Sequence, residues 1–233
     1  MNSLVLPLSR ALGQLGDRVL LGVVVQSVAW SVGCFALLHM AAIWAVHRML
    51  DLHGPLAWAV DVLGSAAAAL LALWLFIPVA AAIGTLYFDR IAAAVERRWY
   101  PDLPPPNGAA LSAQIWDGIA LGLRILGLNL IALLAVLLLP GVGLVLGWLI
   151  GAYALGRGVF VAVAMRRMPR PAAESLYLAC RPMVLVQGAV LAFAAYVPLV
   201  NLLLPVVGVA AMVHTLSLAL ARFEARPDVA WRA

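Results

Sequence analysis

The sequence predicts an all-α integral membrane protein of two long transmembrane helices followed by two helical hairpins, each of which either crosses the bilayer or penetrates it part-way. Three observations carry that reading. Of 233 residues, 66% are apolar and 11% charged, and the mean hydropathy of +1.06 lies well away from water-soluble domains. All fifteen basic residues are arginines, clustered between the apolar stretches, which marks topology rather than a nucleic-acid footprint. The apolar stretches themselves are long enough to span and are separated by turns rich in proline and glycine. Residues 1–233 read as one membrane domain.

Met1 to Arg18 carries a weakly amphipathic stretch over Val5 to Leu15 and lacks a basic region, short apolar run and small-residue cleavage site in series. It is therefore read as an interfacial segment and not as a cleaved signal peptide. Val19 to Val46 carries no formal charge and exceeds the roughly 30 Å hydrocarbon core at 1.5 Å per residue. Arg48 to Pro55 forms a break, and a second spanning segment is expected from Leu56 to about Phe88, with Asp61 near its start and Pro78 and Gly84 as kink positions.

Asp89 to Asp117 is polar. Arg90, Glu96, Arg97 and Arg98 end a helix, the run Pro101 to Gly108 cannot continue one, and an amphipathic helix is expected to restart near Ala109. Ile119 to Leu139 and Leu144 to Met165 then form a hairpin around Pro140-Gly141-Val142-Gly143. The loop with Arg166, Arg167 and Arg170 comes next, then a short helix over Ala172 to Arg181. A last hairpin pairs Met183 to Val197 with Leu202 to Leu220 around Pro198 to Asn201. Its first arm has 15 residues before Pro198, about 22 Å of helix, which is short for a full crossing.

Arginines fall at both termini, in the central loop and in the loop after the first hairpin, and neither hairpin tip has one. The positive-inside rule then places both termini and those loops in the cytoplasm. The sequences Pro140 to Gly143 and Pro205 to Gly208, both read as turns, suggest a degenerate repeat.

Arg124 is the most informative residue, because an arginine within an apolar helix must snorkel, pair, or face a polar cavity. With Asn129 five residues on, it is compatible with an anion site or with snorkelling to the cytoplasmic end. Arg157, between Gly156 and Gly158, has the same two readings, its side chain reaching for the interface. His214 is either a titrating group in a polar pathway or an interhelical hydrogen-bonding partner. Asn201 either serves a site or caps the helix that comes after it. Gln26, His39 and Gln187 suit interhelical bonds. Cys34 and Cys180 have no metal or redox spacing and are read as structural thiols. Gly141 to Gly147 lacks the strand, spacing and lysine of a nucleotide loop. No nucleophile, base or metal cluster emerges, so neither an enzyme nor a cofactor is expected.

Three segments carry a family resemblance: Tyr87-Phe-Asp-Arg-Ile-Ala-Ala-Ala-Val-Glu96; Leu139-Pro-Gly-Val-Gly-Leu-Val-Leu-Gly-Trp148 with Tyr153-Ala-Leu-Gly-Arg-Gly-Val-Phe160; and Val197-Pro-Leu-Val-Asn201-Leu-Leu-Leu-Pro205 with Val209-Ala-Ala-Met-Val-His214. Through them the chain resembles the membrane family of the bacterial sulfate transporter CysZ and the eukaryotic etoposide-induced proteins. The resemblance implies partly penetrating helical pairs, a homo-oligomer, and an inner-membrane location with sulfate moving inward for cysteine synthesis. The sulfate-transporting branch carries a proline-glycine-leucine-arginine segment before its first long helix. This chain has Gly13-Gln-Leu-Gly16-Asp17-Arg18 there, so Arg18 stands as the remnant of an anion-binding arginine, with Asp17 beside it opposing a dianion. Two classes of function result. One is a transporter or channel for a small anion such as sulfate, using Arg18, Arg124, Arg157, Asn201 and His214. The other is a membrane assembly or scaffold protein whose polar residues serve packing.

Overall fold

The computed structural model describes residues 2–49, 58, 62–64, 66, 87–138 and 142–224. The described elements are helical, in the order α1 (Asn2–Gly13), α2 (Arg18–Met49), α3 (Phe88–Trp99), α4 (Leu111–Leu138), α5 (Val142–Tyr153), a π-helical turn (Ala154–Gly158), α6 (Val159–Met165), α7 (Arg170–Ala194), α8 (Pro198–Asn201) and α9 (Leu204–Glu224). Five stretches among them are long and apolar enough to cross a membrane: Arg18–Ala41, Leu111–Ala135, Val142–Met165, Arg170–Ala194 and Leu204–Arg222. The chain is a multi-pass membrane protein. The expected second spanning helix lies almost wholly outside the described residues, as do the break after Arg48 and the tip at Pro140. Residues 58, 62–64 and 66 of it are helical, and its last residue, Phe88, opens α3.

Local chemistry sets several boundaries. Asp17 caps α2 by accepting the Val19 backbone N–H at 2.9 Å, which satisfies one donor that the first turn leaves free. The helix expected to restart near Ala109 begins at Leu111, and Gln114 and Asp117 sit in the opening turns of α4, which runs unbroken to Leu138. The short helix before Pro182 and the arm after it form one helix, α7, kinked where Cys180 leaves helical geometry (φ −114°, ψ 17°). A proline at 182 removes a ladder hydrogen bond and crowds the preceding turn. Pro205 to Gly208 is not a turn. Pro205 lies in the first turn of α9, where its missing N–H has no helical partner to lose.

The core gathers around α9. Val206, Ala210, Ala211, Met212 and Val213 pack with Phe160 and Met165 of α6, Leu176 and Val184 of α7, and Ile91 and Val95 of α3. Ala11 of α1 and Leu20 and Val23 of α2 close one side of it. The α5–π turn meets α7 through small residues, and the backbones come so close that a Cβ on Gly188 would lie 2.2 Å from the Ala152 carbonyl oxygen. Only glycine permits that approach. The contact lays α7 alongside the π turn.

Candidate functional site

The seam between α4 and the α5–π turn holds two polar rungs. On α4, Asp117 and Arg124 are seven residues apart, so they share one face about 10 Å apart along the axis. On the returning helix Tyr153 and Arg157 lie four apart and face them in reverse order. Asp117 meets Arg157, and Arg124 meets Tyr153.

In the first rung, Arg157 Nη1 donates to Asp117 Oδ2 at 2.7 Å and Nη2 to Asp117 Oδ1 at 2.9 Å. Such a two-point guanidinium–carboxylate pair fixes both planes. Arg157 Nη2 also donates to Glu174 Oε2 at 2.5 Å, and Arg170 Nε donates to Asp117 Oδ1 at 2.7 Å. Two guanidiniums therefore face two carboxylates, with no net charge. Arg170 and Glu174 are one turn apart on α7, and the glycine contact with the π turn holds that helix against the one carrying Arg157. Arg157 is 3% exposed, and its Nε lies buried without a hydrogen-bond partner among the described residues. It does not snorkel, because carboxylates from two other helices meet it inside the protein.

The second rung differs in charge. Arg124 Nη1 donates to the Tyr153 hydroxyl at 2.7 Å, and Arg124 has no carboxylate partner among the described residues. Its side chain is exposed, and a neutral phenol orients it without cancelling its charge.

The remaining candidates lie elsewhere. Arg18 is exposed at the start of α2, which packs against α3 and α9. The neighbouring Asp17, expected to oppose an anion there, is engaged by Arg98 Nη1 at 3.2 Å. Asn201 ends α8 with its backbone N–H on the Val197 carbonyl at 2.9 Å, and its side chain forms no hydrogen bond among the described residues. His214 is fully buried in α9. Its Nδ1 is 2.8 Å from the Tyr100 hydroxyl, and its ring meets that of Trp99 edge-on with centroids 5.6 Å apart. Arg10 of α1 lies over the Trp99 ring, its guanidinium carbon 4.9 Å from the ring centroid. The interhelical bonds expected of glutamines occur at Gln26, which accepts from Arg90 Nη1 at 3.1 Å, and at Gln187, which accepts from Thr215 Oγ1 at 2.7 Å.

The structure thus brings Arg124 and Arg157 to one seam and leaves Arg18, Asn201 and His214 apart from it. Sequence reasoning missed Asp117, Tyr153, Arg170 and Glu174. The four-residue spacing of Arg170 and Glu174 is visible in the chain, but nothing in one sequence pairs them with a residue on α4. A second ionic group is equally silent there: Arg166 Nε donates to Asp89 Oδ1 at 2.8 Å and its Nη1 to Glu96 Oε1 at 3.0 Å, while Arg167 Nε donates to the same Glu96 oxygen at 3.0 Å. It ties α3 to the loop after α6.

Residues 8–205 match the family described as Sulfate transporter CysZ/Etoposide-induced protein 2.4. The chain belongs to that family. The matched region contains both rungs of the seam together with Arg18 and Asn201, whereas His214 lies beyond its end. No individual curated protein matches the chain.

Proposed function

We propose that this member of the family is a transporter or channel for a small anion, sulfate being the first candidate, in a bacterial inner membrane. Both termini, the central loop and the Arg166 to Arg170 loop face the cytoplasm in this reading, and the protein works as a homo-oligomer. The observation that carries the proposal is the contrast between the rungs. Arg157 is neutralised by acidic partners, but Arg124 keeps its full charge at a place where an uncompensated guanidinium is costly. A charge held in position by a neutral hydroxyl attracts an anion without binding it irreversibly. Arg18, which has no ion-pair partner among the described residues, supplies a second guanidinium at an interfacial helix end, and Asn201 and His214 are secondary candidates.

Radiolabelled sulfate uptake into proteoliposomes tests this. The expected result is uptake above that of empty liposomes, reduced about tenfold by Arg124→Ala and partly restored by Arg124→Lys. Uptake equal to that of empty liposomes across a range of gradients sinks the sulfate reading. Normal flux with Arg124→Ala removes the residue from the mechanism. The exposed surface of α4 favours a second reading, an assembly protein that offers this helix to a partner, for which a stable partner should copurify from native membranes.

A further inference from the structure

A separate, largely apolar-walled cavity of about 300 Å³ with arginines in its lining lies where the last turn of α3, the proline-rich loop and the end of α6 meet. Arg97, Arg166, Arg167 and Glu96 line it, and Tyr100 and Pro104 to Pro106 supply an apolar wall. Arg166 and Arg167 form a nearly buried floor, with side chains 7% and 11% exposed. Glu96 fixes both guanidiniums, with Arg167 Nη2 on Oε2 at 3.0 Å in addition to the contacts above. Arg167 Nη1 donates to the Pro104 carbonyl at 3.0 Å, so the loop and the floor hold each other in place.

A guanidinium has five N–H donors, and these contacts leave several unused on each arginine. Arg166 and Arg167 both line the cavity, so a group that enters it comes within reach of those guanidiniums. The lining itself carries three guanidiniums and one carboxylate, Glu96. Asp89, on Arg166, and Asp102, exposed in the loop, lie outside that lining, and Arg97 is exposed and without an ionic partner among the described residues. The carbonyl ends of α3 and α6 oppose an anion here, which is why three guanidiniums and not one would be needed to hold it.

We infer that this cavity is an accessory binding site for a phosphate group, its oxygens taken by Arg97 and the unused donors of Arg166 and Arg167, with the proline wall against the ester carbons. Planar forked donors suit phosphate oxygens in pairs. The cavity adjoins the end of a spanning stretch at Met165, so two sources share this chemistry: the headgroup of an anionic phospholipid and a free phosphate. The site is independent of the seam, and its test reads binding rather than flux.

Calorimetry with inorganic phosphate on the full chain in neutral detergent, and native mass spectrometry after reconstitution with phosphatidylglycerol or phosphatidylcholine, separate the two. Saturable phosphate binding without lipid selectivity assigns the free anion, and selective retention of phosphatidylglycerol assigns the headgroup. In either case Arg97→Gln, a change at an exposed side chain, should weaken the bound species about tenfold, while Arg222→Gln, a change at an exposed arginine of α9, should not. Neither species binding, no effect of Arg97→Gln, or equal loss with Arg222→Gln overturns the site.

Discussion

Helices α4 and α9 are matched in apolarity and opposite in surroundings. Their spanning stretches have mean hydropathy 2.0 and 1.9, yet 6% of the first is buried inside the protein against 72% of the second. Both environments are apolar in a membrane, since lipid tails solvate leucine as well as a protein core does. The distinction therefore falls to small residues and polar anchors. α9 has Ala210 and Ala211 in the core and carries His214 and Thr215, both fully buried. In α4, Asp117 is the buried position among the described side chains, so a helix otherwise turned outward is anchored in the bundle by one carboxylate, with the Arg124–Tyr153 bond one rung along.

Removing that carboxylate is the sharpest way to break the comparison. Asp117→Ala leaves Arg157 and Arg170 with Glu174 alone and should cost about 3–5 kcal/mol, read as a lower midpoint in heated detergent samples resolved by size exclusion. An unchanged midpoint would mean that α4 is held by something other than its ionic anchor. Next in size is a paired truncation. Leu216→Ala, at a position 2% exposed, should destabilise by roughly 2 kcal/mol from the cavity it opens, while Leu134→Ala, 63% exposed on α4, should stay within about 0.5 kcal/mol. Equal effects would show that α4 packs as tightly as α9 in the working protein. The smallest is Tyr100→Phe, which takes the hydroxyl from His214 and should cost about 1 kcal/mol in the same assay, with the fold retained.

The helices are legible in the sequence because hydropathy over twenty residues reports a spanning stretch directly. Breaks at Pro101 to Gly108 and Pro198 are legible because proline restricts the backbone wherever it stands. The kink in α7 is half legible: Pro182 marks it, but whether two helices part there or bend depends on what they pack against. Arg124 stands out within its apolar helix, and its Tyr153 partner does not, since a tyrosine on another helix sends no signal to position 124. The pairing of Arg157 is hidden for a related reason. Hydropathy places an arginine relative to the bilayer, whereas its burial here stems from a close helix contact made by Gly156 and Gly188.

The π turn at Ala154–Gly158 has a further consequence. A π turn amounts to one residue more than an α-helix needs to cover the same length, so it behaves as an insertion absorbed inside a continuous helix. Deleting a single residue there would restore ordinary winding and leave the two flanks in phase, whereas winding all five residues as an ordinary helix would rotate α6 by about 100° relative to α5. Phe160 and Met165, which α6 places in the core beside α9, would then turn away from it. The core contacts of α6 and the seam contacts of α5 are thus kept in phase by a counting device, and the length of this five-residue stretch matters as much as the side chains within it.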